Sequence, residues 1–173
     1  MSDFCSRLAL DRVRDGDTID LDAGDEERSA IAGRLRLDSL DRLEAHVALH
    51  RDKDIIVAKG RVRASLTQSC VATGEPVVSD VDEPFEIRFV PEPGGDRHDE
   101  EIELGEEDCD IVFHDGSTID LGAAVTDTLG LAIDPYPRSA GADAALREAG
   151  VLSESEAGPF AVLAQLRKGN GEP

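Results

Sequence analysis

Residues 55–69 alternate between two chemistries along their whole length, and no other feature limits the fold as much. Ile56, Ala58, Val62, Ala64 and Leu66 fall in one phase, with Gly60 among them. Ile55, Val57, Lys59, Arg61, Arg63, Ser65 and Thr67 fall in the other. A period of two puts successive side chains on opposite faces, so this is a long strand with an apolar face and a largely polar one. Gly60 in mid-strand marks an expected bulge or bend. Residues 43–49 repeat the pattern through Leu43, Ala45, Val47 and Leu49. The polar stretch His50-Arg51-Asp52-Lys53-Asp54 between the two runs predicts an antiparallel hairpin over 43–66 with its loop at 50–54. Residues 85–90 add a strand with Phe85, Ile87 and Phe89 inward and Glu86 and Arg88 outward.

A sheet with one wet face needs helices over the other. Asp22 is the expected N-cap of a helix running to about Leu37. Asp25, Glu26 and Glu27 fill its first turn, where they complement the helix dipole, and Ala30, Ile31 and Leu35 should face the core. A second helix is expected over about 122–131, and Pro135 and Pro137 bar its continuation. A weaker one is expected near 142–149. Residues 4–13 alternate loosely through Leu8, Leu10 and Val13 and read as a first strand. Thr18–Leu21, Ile111–Phe113 and Thr118–Leu121 read as short extended segments. The fold class that follows is α+β: a twisted, partly closed antiparallel sheet with a few packing helices. With five Phe, one Tyr and no Trp, its core must be built mainly from Leu, Ile, Val and Ala.

Two stretches stand apart. Residues 92–110 hold ten acidic residues, one Arg and the run Pro93-Gly94-Gly95. They bury little and read as an acidic mobile loop, with a short strand at Ile102–Leu104. Residues 138–173 read as a tail ending in a helix at about 159–168, opened by Pro159 and closed by Lys168 and Gly169. Its apolar residues Phe160, Val162, Leu163 and Leu166 need a surface to cover them. The expected organisation is a single α+β domain over 1–137 followed by this tail.

One internal echo is present. Asp15-Gly-Asp-Thr-Ile-Asp-Leu-Asp-Ala23 matches Asp115-Gly-Ser-Thr-Ile-Asp-Leu-Gly-Ala123 at seven of nine positions. Both read as turn, short strand and helix start. An old duplication and a local problem solved twice are both open readings.

Charge narrows the function classes. The chain has 173 residues, 18 of them Lys or Arg and 38 Asp or Glu, for a net charge of −20. That charge repels nucleic acid unless a local basic patch overrides it, and it favours basic partners, among which ribosomal proteins are prominent. No apolar run approaches the ~18–20 residues of a membrane span. The start, Met1-Ser2-Asp3-Phe4-Cys5, has no basic region followed by an apolar stretch, so no signal peptide is expected and a cytoplasmic location follows. Three widely spaced cysteines suggest free thiols rather than a disulfide framework or a CxxC zinc site.

Candidate chemistry is sparse. His46 and His50, four apart on a strand, are about 13 Å from each other, too far to share an ion. His98 lies within Asp96-Arg97-His98-Asp99-Glu100-Glu101, a solvated loop before it is a cation site. The stretch 15–22 lacks the Gly and Glu of a calcium loop. No phosphate-binding Gly loop, G-x-S-x-G elbow or Cys/His signature is present. No catalytic residue, metal, cofactor or small-molecule substrate is therefore expected. The row Lys59, Arg61, Arg63 is the candidate contact surface. It serves either as a phosphate-backbone patch or, more simply, as partner to outward carboxylates such as Glu44 and Glu86 on neighbouring strands. Cys70 at the strand's end reads as a buried structural thiol.

The segment Gln68-Ser69-Cys70-Val71-Ala72-Thr73-Gly74-Glu75-Pro76-Val77 resembles the YceD-like family, the large ribosomal RNA subunit accumulation proteins. Gly60-Arg61-Val62-Arg63-Ala64 before it and Val81-Asp82-Glu83-Pro84-Phe85-Glu86-Ile87-Arg88-Phe89 after it agree. So do Ile119-Asp120-Leu121, the run from Leu129 to Pro137, and Pro159-Phe160-Ala161-Val162-Leu163. The resemblance covers most of residues 5–168. Many family members carry a second Cys soon after the first; here Thr73 stands near that place, so zinc finds no support. The resemblance implies a cytoplasmic bacterial protein needed for 23S ribosomal RNA accumulation and large-subunit biogenesis. It implies no catalytic residues, so a non-enzymatic factor is expected rather than an RNA-acting enzyme. The expected partner is a basic ribosomal protein, or else ribosomal RNA or a pre-ribosome. Gln68 and Cys70 join Lys59, Arg61 and Arg63 as candidate contacts. An acidic protein-interaction module unrelated to ribosomes is the alternative.

Overall fold

A computed structural model describes residues 2–4, 7–92 and 110–151. The expected loop over 92–110 apart from its two ends, the strand at 102–104 and the helix at 159–168 lie outside the described residues, as does His98.

The elements in chain order are β1 (Ser2–Asp3), β2 (Leu8–Ala9), β3 (Thr18–Asp22), α1 (Asp25–Leu35), β4 (Ser39–Asp52), β5 (Ile55–Ser69), β6 (Pro76–Pro91), β7 (Ile111–His114), β8 (Thr118–Ile119), α2 (Leu121–Ala132) and α3 (Ala142–Glu148). Six strands form one sheet in the order β1-β3-β4-β5-β6-β7, and β2 pairs with β8 in a small second sheet. The class is α+β, as the patterning predicts. The sheet is open and mixed: β1 runs parallel to β3 and β7 parallel to β6.

The described residues form two compact units, one within 1–68 and 78–135, the other within 69–77 and 136–151. In the first, Leu43, Val47 and Leu49 of β4 and Ile56, Val62 and Leu66 of β5 are fully buried. Ile31 of α1 and Leu121, Val125 and Leu129 of α2 join the same core, so both helices cover the apolar sheet face. In the second, α3 follows a turn at 70–75 in which the Cys70 N–H donates to the Glu75 carbonyl and the Gly74 N–H to the Cys70 carbonyl. The Val71 N–H reaches the Pro137 carbonyl at 2.9 Å.

The structure corrects several boundaries. Residues 4–13 are not a strand: only Leu8–Ala9 pair, with Ile119 and Thr118. The apparent alternation comes from a turn that tucks Leu10 and Val13 into the core. Its carbonyls at Leu10 and Val13 accept from the Arg51 guanidinium. Asp22 does not cap α1, because it continues β3 opposite Glu44. Gly24 is the N-cap, and the Glu27 carboxylate accepts from its N–H at 2.8 Å. The helix stops at Leu35 because Arg36 turns left-handed at φ 57°. Ala30 faces solvent, and Ile31 and Ala32 supply the buried side.

The hairpin loop is shorter than expected. The ladder runs to Asp52 opposite Ile55, leaving Lys53-Asp54 as the turn, with Lys53 at φ 56°. The register is continuous at Gly60 and shifts at Asp41 instead, between Leu40 and Arg42. β6 begins at Pro76, well before the expected 85–90. In its first half Ser79 and Glu83 interrupt the apolar phase of Val77 and Val81, so no clean alternation marks it; on its outward face Asp82 meets Arg61 and Arg63 of β5. β7 reaches only Arg88–Pro91, which leaves Pro84 on a stretch where β5 is the one described neighbour, a place where proline is tolerated.

The two echoed segments diverge in use. The Asp15 carboxylate accepts from the Arg51 N–H at 3.0 Å, in another strand. The Asp115 carboxylate accepts from its own turn: the Ser117 N–H and hydroxyl at 2.8 and 2.6 Å and the Thr118 N–H at 3.2 Å. Asp20 points out from β3, whereas Asp120 caps α2 by accepting from the Ala123 N–H at 2.8 Å.

Candidate functional site

The outward face of β3–β6 is a set of charged stripes, because each strand turns every second residue to water. β3 presents Asp20 and Asp22, β4 presents Arg42, Glu44 and His46, and β5 presents Lys59, Arg61 and Arg63. β6 presents Asp80, Asp82 and Glu86. The register sets Glu44 opposite Arg63 and His46 opposite Arg61.

Each member of the expected row on β5 has an acidic partner. The Lys59 ammonium lies 2.8 Å from the Glu86 carboxylate. Arg61 and Arg63 both approach Asp82, at 2.7 and 3.6 Å. Ser65 donates to Asp80 at 2.5 Å. Rising numbers on β5 meet falling numbers on β6, the geometry of an antiparallel pair. On β4, Glu44 takes a two-pronged contact from Arg42 at 2.6 and 2.7 Å. The Lys59 hydrogen bond holds Glu86 below the usual carboxylate range and raises Lys59 in turn. The Arg42 hydrogen bond lowers Glu44 in the same way. These pairs are solvent-exposed, so they order the face more than they stabilise the fold.

Between β3 and β5 the face is hollow. About 610 Å³ opens over β4, lined by Asp20, Asp22 and Glu44 on the acidic side and His46, Arg61 and Arg63 on the basic side. His46 is already engaged by Asp20 at 2.5 Å, and His50 lies 3.6 Å from Asp15. The two histidines thus serve different aspartates. Among the described residues no group of three or more His, Cys, Asp or Glu is placed to hold a metal ion.

Gln68 and Cys70 do not extend the charged row. The Gln68 amide donates to the Asp134 carbonyl at 3.0 Å. Cys70 is buried, and its sulfur accepts from the Ser139 N–H at 3.2 Å. That bond, with the Thr73 hydroxyl next in weight, pulls the thiol down to about 6. The Thr73 hydroxyl also lies 3.2 Å from that of Ser139.

The residues that sequence reading misses are Asp80 and Asp82, whose sign, alternating against β5, was the available signal, and Leu131. Leu131 on α2 is 85% exposed and borders a recess of about 210 Å³ between α2 and β6. Periodicity assigns a helical leucine to a core and gives no warning of this.

No described helix is long and apolar enough to cross a membrane. The family model described as "Large ribosomal RNA subunit accumulation protein YceD" matches residues 58–167, more than half of the chain. No curated protein and no solved structure matches.

Proposed function

The chain belongs to the YceD family of large ribosomal RNA subunit accumulation proteins, and from that premise we propose that it acts by binding a basic ribosomal protein before or during large-subunit assembly, without catalysis of its own. The family description supports a role in the accumulation of large-subunit ribosomal RNA. The observation that carries the protein partner is the pairing of Lys59, Arg61 and Arg63 with Glu86 and Asp82, in a chain of net charge −20. A phosphate backbone would have to displace those carboxylates and approach against the field of the whole molecule. A basic polypeptide is drawn in by the same field, and steering of this kind raises association rates.

A second reading keeps the row as a contact to ribosomal RNA, with Gln68 and Cys70 beyond it. Arg61 and Arg63 share the single carboxylate of Asp82, so that cluster retains one positive charge. The reversal Lys59→Glu, Arg61→Glu, Arg63→Glu separates the two. Under the first reading, protein retention persists and RNA retention is no different from wild type. Under the second, RNA retention is abolished.

The experiment that tests the role itself is the ratio of 23S to 16S ribosomal RNA in cells depleted of the protein. A selective fall in 23S is the expected result. An unchanged ratio sinks the ribosomal role and leaves an acidic interaction module with another partner.

A further inference from the structure

The recess beside Leu131 is distinct from the charged face. Phe85 and Ile87 of β6 form its apolar floor and are nearly buried. Pro84, Thr128, Leu131 and Ala132 also line it, as do Glu83 and Asp110, both exposed to solvent. No cation lines it. A single exposed leucine is ordinary on a protein surface. A leucine 85% exposed at the lip of an apolar recess with carboxylates beside it is a different arrangement, that of an anchor pocket with a polar rim.

Size and charge identify the occupant. About 210 Å³ is below the ~300–1,000 Å³ of pockets that enclose small molecules, and it suits one large side chain. A second copy of the chain would bring the same two carboxylates and another −20 of charge. Nucleic acid meets the same repulsion. A cationic polypeptide segment with one bulky apolar residue satisfies both floor and rim.

We propose that the recess between β6 and α2 receives a bulky apolar side chain from a basic protein segment, with Glu83 and Asp110 pairing with Lys or Arg residues that flank it. This rests on the proposed function and names the docking surface for it. The apolar anchor supplies affinity, and the carboxylates supply orientation and rejection of acidic partners.

The test uses the full chain, immobilised, and the mixed proteins stripped from purified large ribosomal subunits by high salt. Wild type should retain one or a few basic proteins. Leu131→Asp should weaken that retention by about tenfold or more with an unchanged melting temperature, since the side chain contributes little to the core. The pair Glu83→Lys, Asp110→Lys should weaken it and flatten its salt dependence. A photo-crosslinking residue at position 131 should label the retained protein.

Retention by Leu131→Asp equal to wild type overturns the proposal. So does crosslinking only to residues 152–173 of the same chain, or to a second copy. If wild type retains nothing while depletion still lowers 23S RNA, the docking surface is wrong and the ribosomal role stands. If depletion leaves 23S unchanged, the role itself has failed.

Discussion

Gly60 of β5 lies so close to His46 of β4 that a Cβ built on it would sit 2.3 Å from the His46 carbonyl oxygen. The Phe85 ring closes the same space from β6 at 3.0 Å. Backbone on one side and an aromatic on the other leave no room for a methyl group. Gly60→Ala should therefore force the ladder apart and destabilise the protein by about 1–3 kcal/mol, the usual range for overpacking a tight interior. Urea unfolding would measure this as a lower midpoint at constant slope. An unchanged midpoint would mean that β4 and β6 give way freely at this point.

Arg51 shows how a charged loop residue can become structural. Its guanidinium donates to the carbonyls of Leu10, Val13 and Lys53. It thereby holds the turn that carries Leu10 and Val13 into the core. Arg51→Met keeps much of the stem but leaves those carbonyls without their donor. A loss of about 1–3 kcal/mol is expected. Amide exchange should quicken over residues 10–13 and stay slow in β5. Uniform quickening would point to global destabilisation instead of release of the turn.

These two residues also show where the sequence was readable. The β4–β5 hairpin was legible because one face is apolar at every second position, from Leu43 to Leu49 and from Ile56 to Leu66. The first half of β6 was not, because Ser79 and Glu83 interrupt the apolar phase of Val77 and Val81, and Asp80 and Asp82 answer Ser65 and the two arginines of β5. Arg51 lay in a polar stretch that looks the same whether it faces water or clamps a turn. Among the candidate contacts, Lys59, Arg61 and Arg63 were legible as a row by their spacing, and the pairing of Lys59 with Glu86 was open to expectation, whereas the expected Glu44 is engaged by Arg42 of its own strand. The capture of both arginines by Asp82 depends on β6 extending past Pro84, which local patterning does not show. The recess at Leu131 depends on how α2 lies on β6, a tertiary fact with no local signature.

Acid should act on the second echoed turn through Asp115. Hydrogen bonds from the Ser117 hydroxyl, the Ser117 N–H and the Thr118 N–H stabilise its carboxylate and lower it to about 2 from an ordinary 3.8. The folded value is depressed, so the unfolded chain binds the proton more tightly between those limits. The stabilisation is complete above about 3.8 and is lost as pH falls through about 2. Asp115→Asn should therefore be less stable than wild type near neutrality, and the gap should close as pH is lowered through this window. Urea midpoints of both proteins at a series of acidic pH values would check it. A gap independent of pH would assign the effect to the turn's shape, not its charge.

The Cys70 thiol should titrate well below an ordinary cysteine. The Ser139 N–H, the Thr73 hydroxyl, the Ser139 hydroxyl and the Ala72 N–H all favour the thiolate, against the opposing effect of desolvation, and bring the value to about 6 from 9.0. By the same linkage, the site stabilises the fold fully above about 9 and progressively less as pH falls through about 6. In a chain carrying Cys5→Ser and Cys109→Ser, the ultraviolet absorbance of the thiolate should rise near pH 6 in the native protein and near 9 in urea. Thr73→Val removes the second-largest contribution, so the native midpoint should move upward while the Ser139 N–H bond holds it below the urea value. The Thr73 position thus acts here through a hydroxyl on the sulfur. A native midpoint equal to the one in urea would show that burial outweighs the four donors.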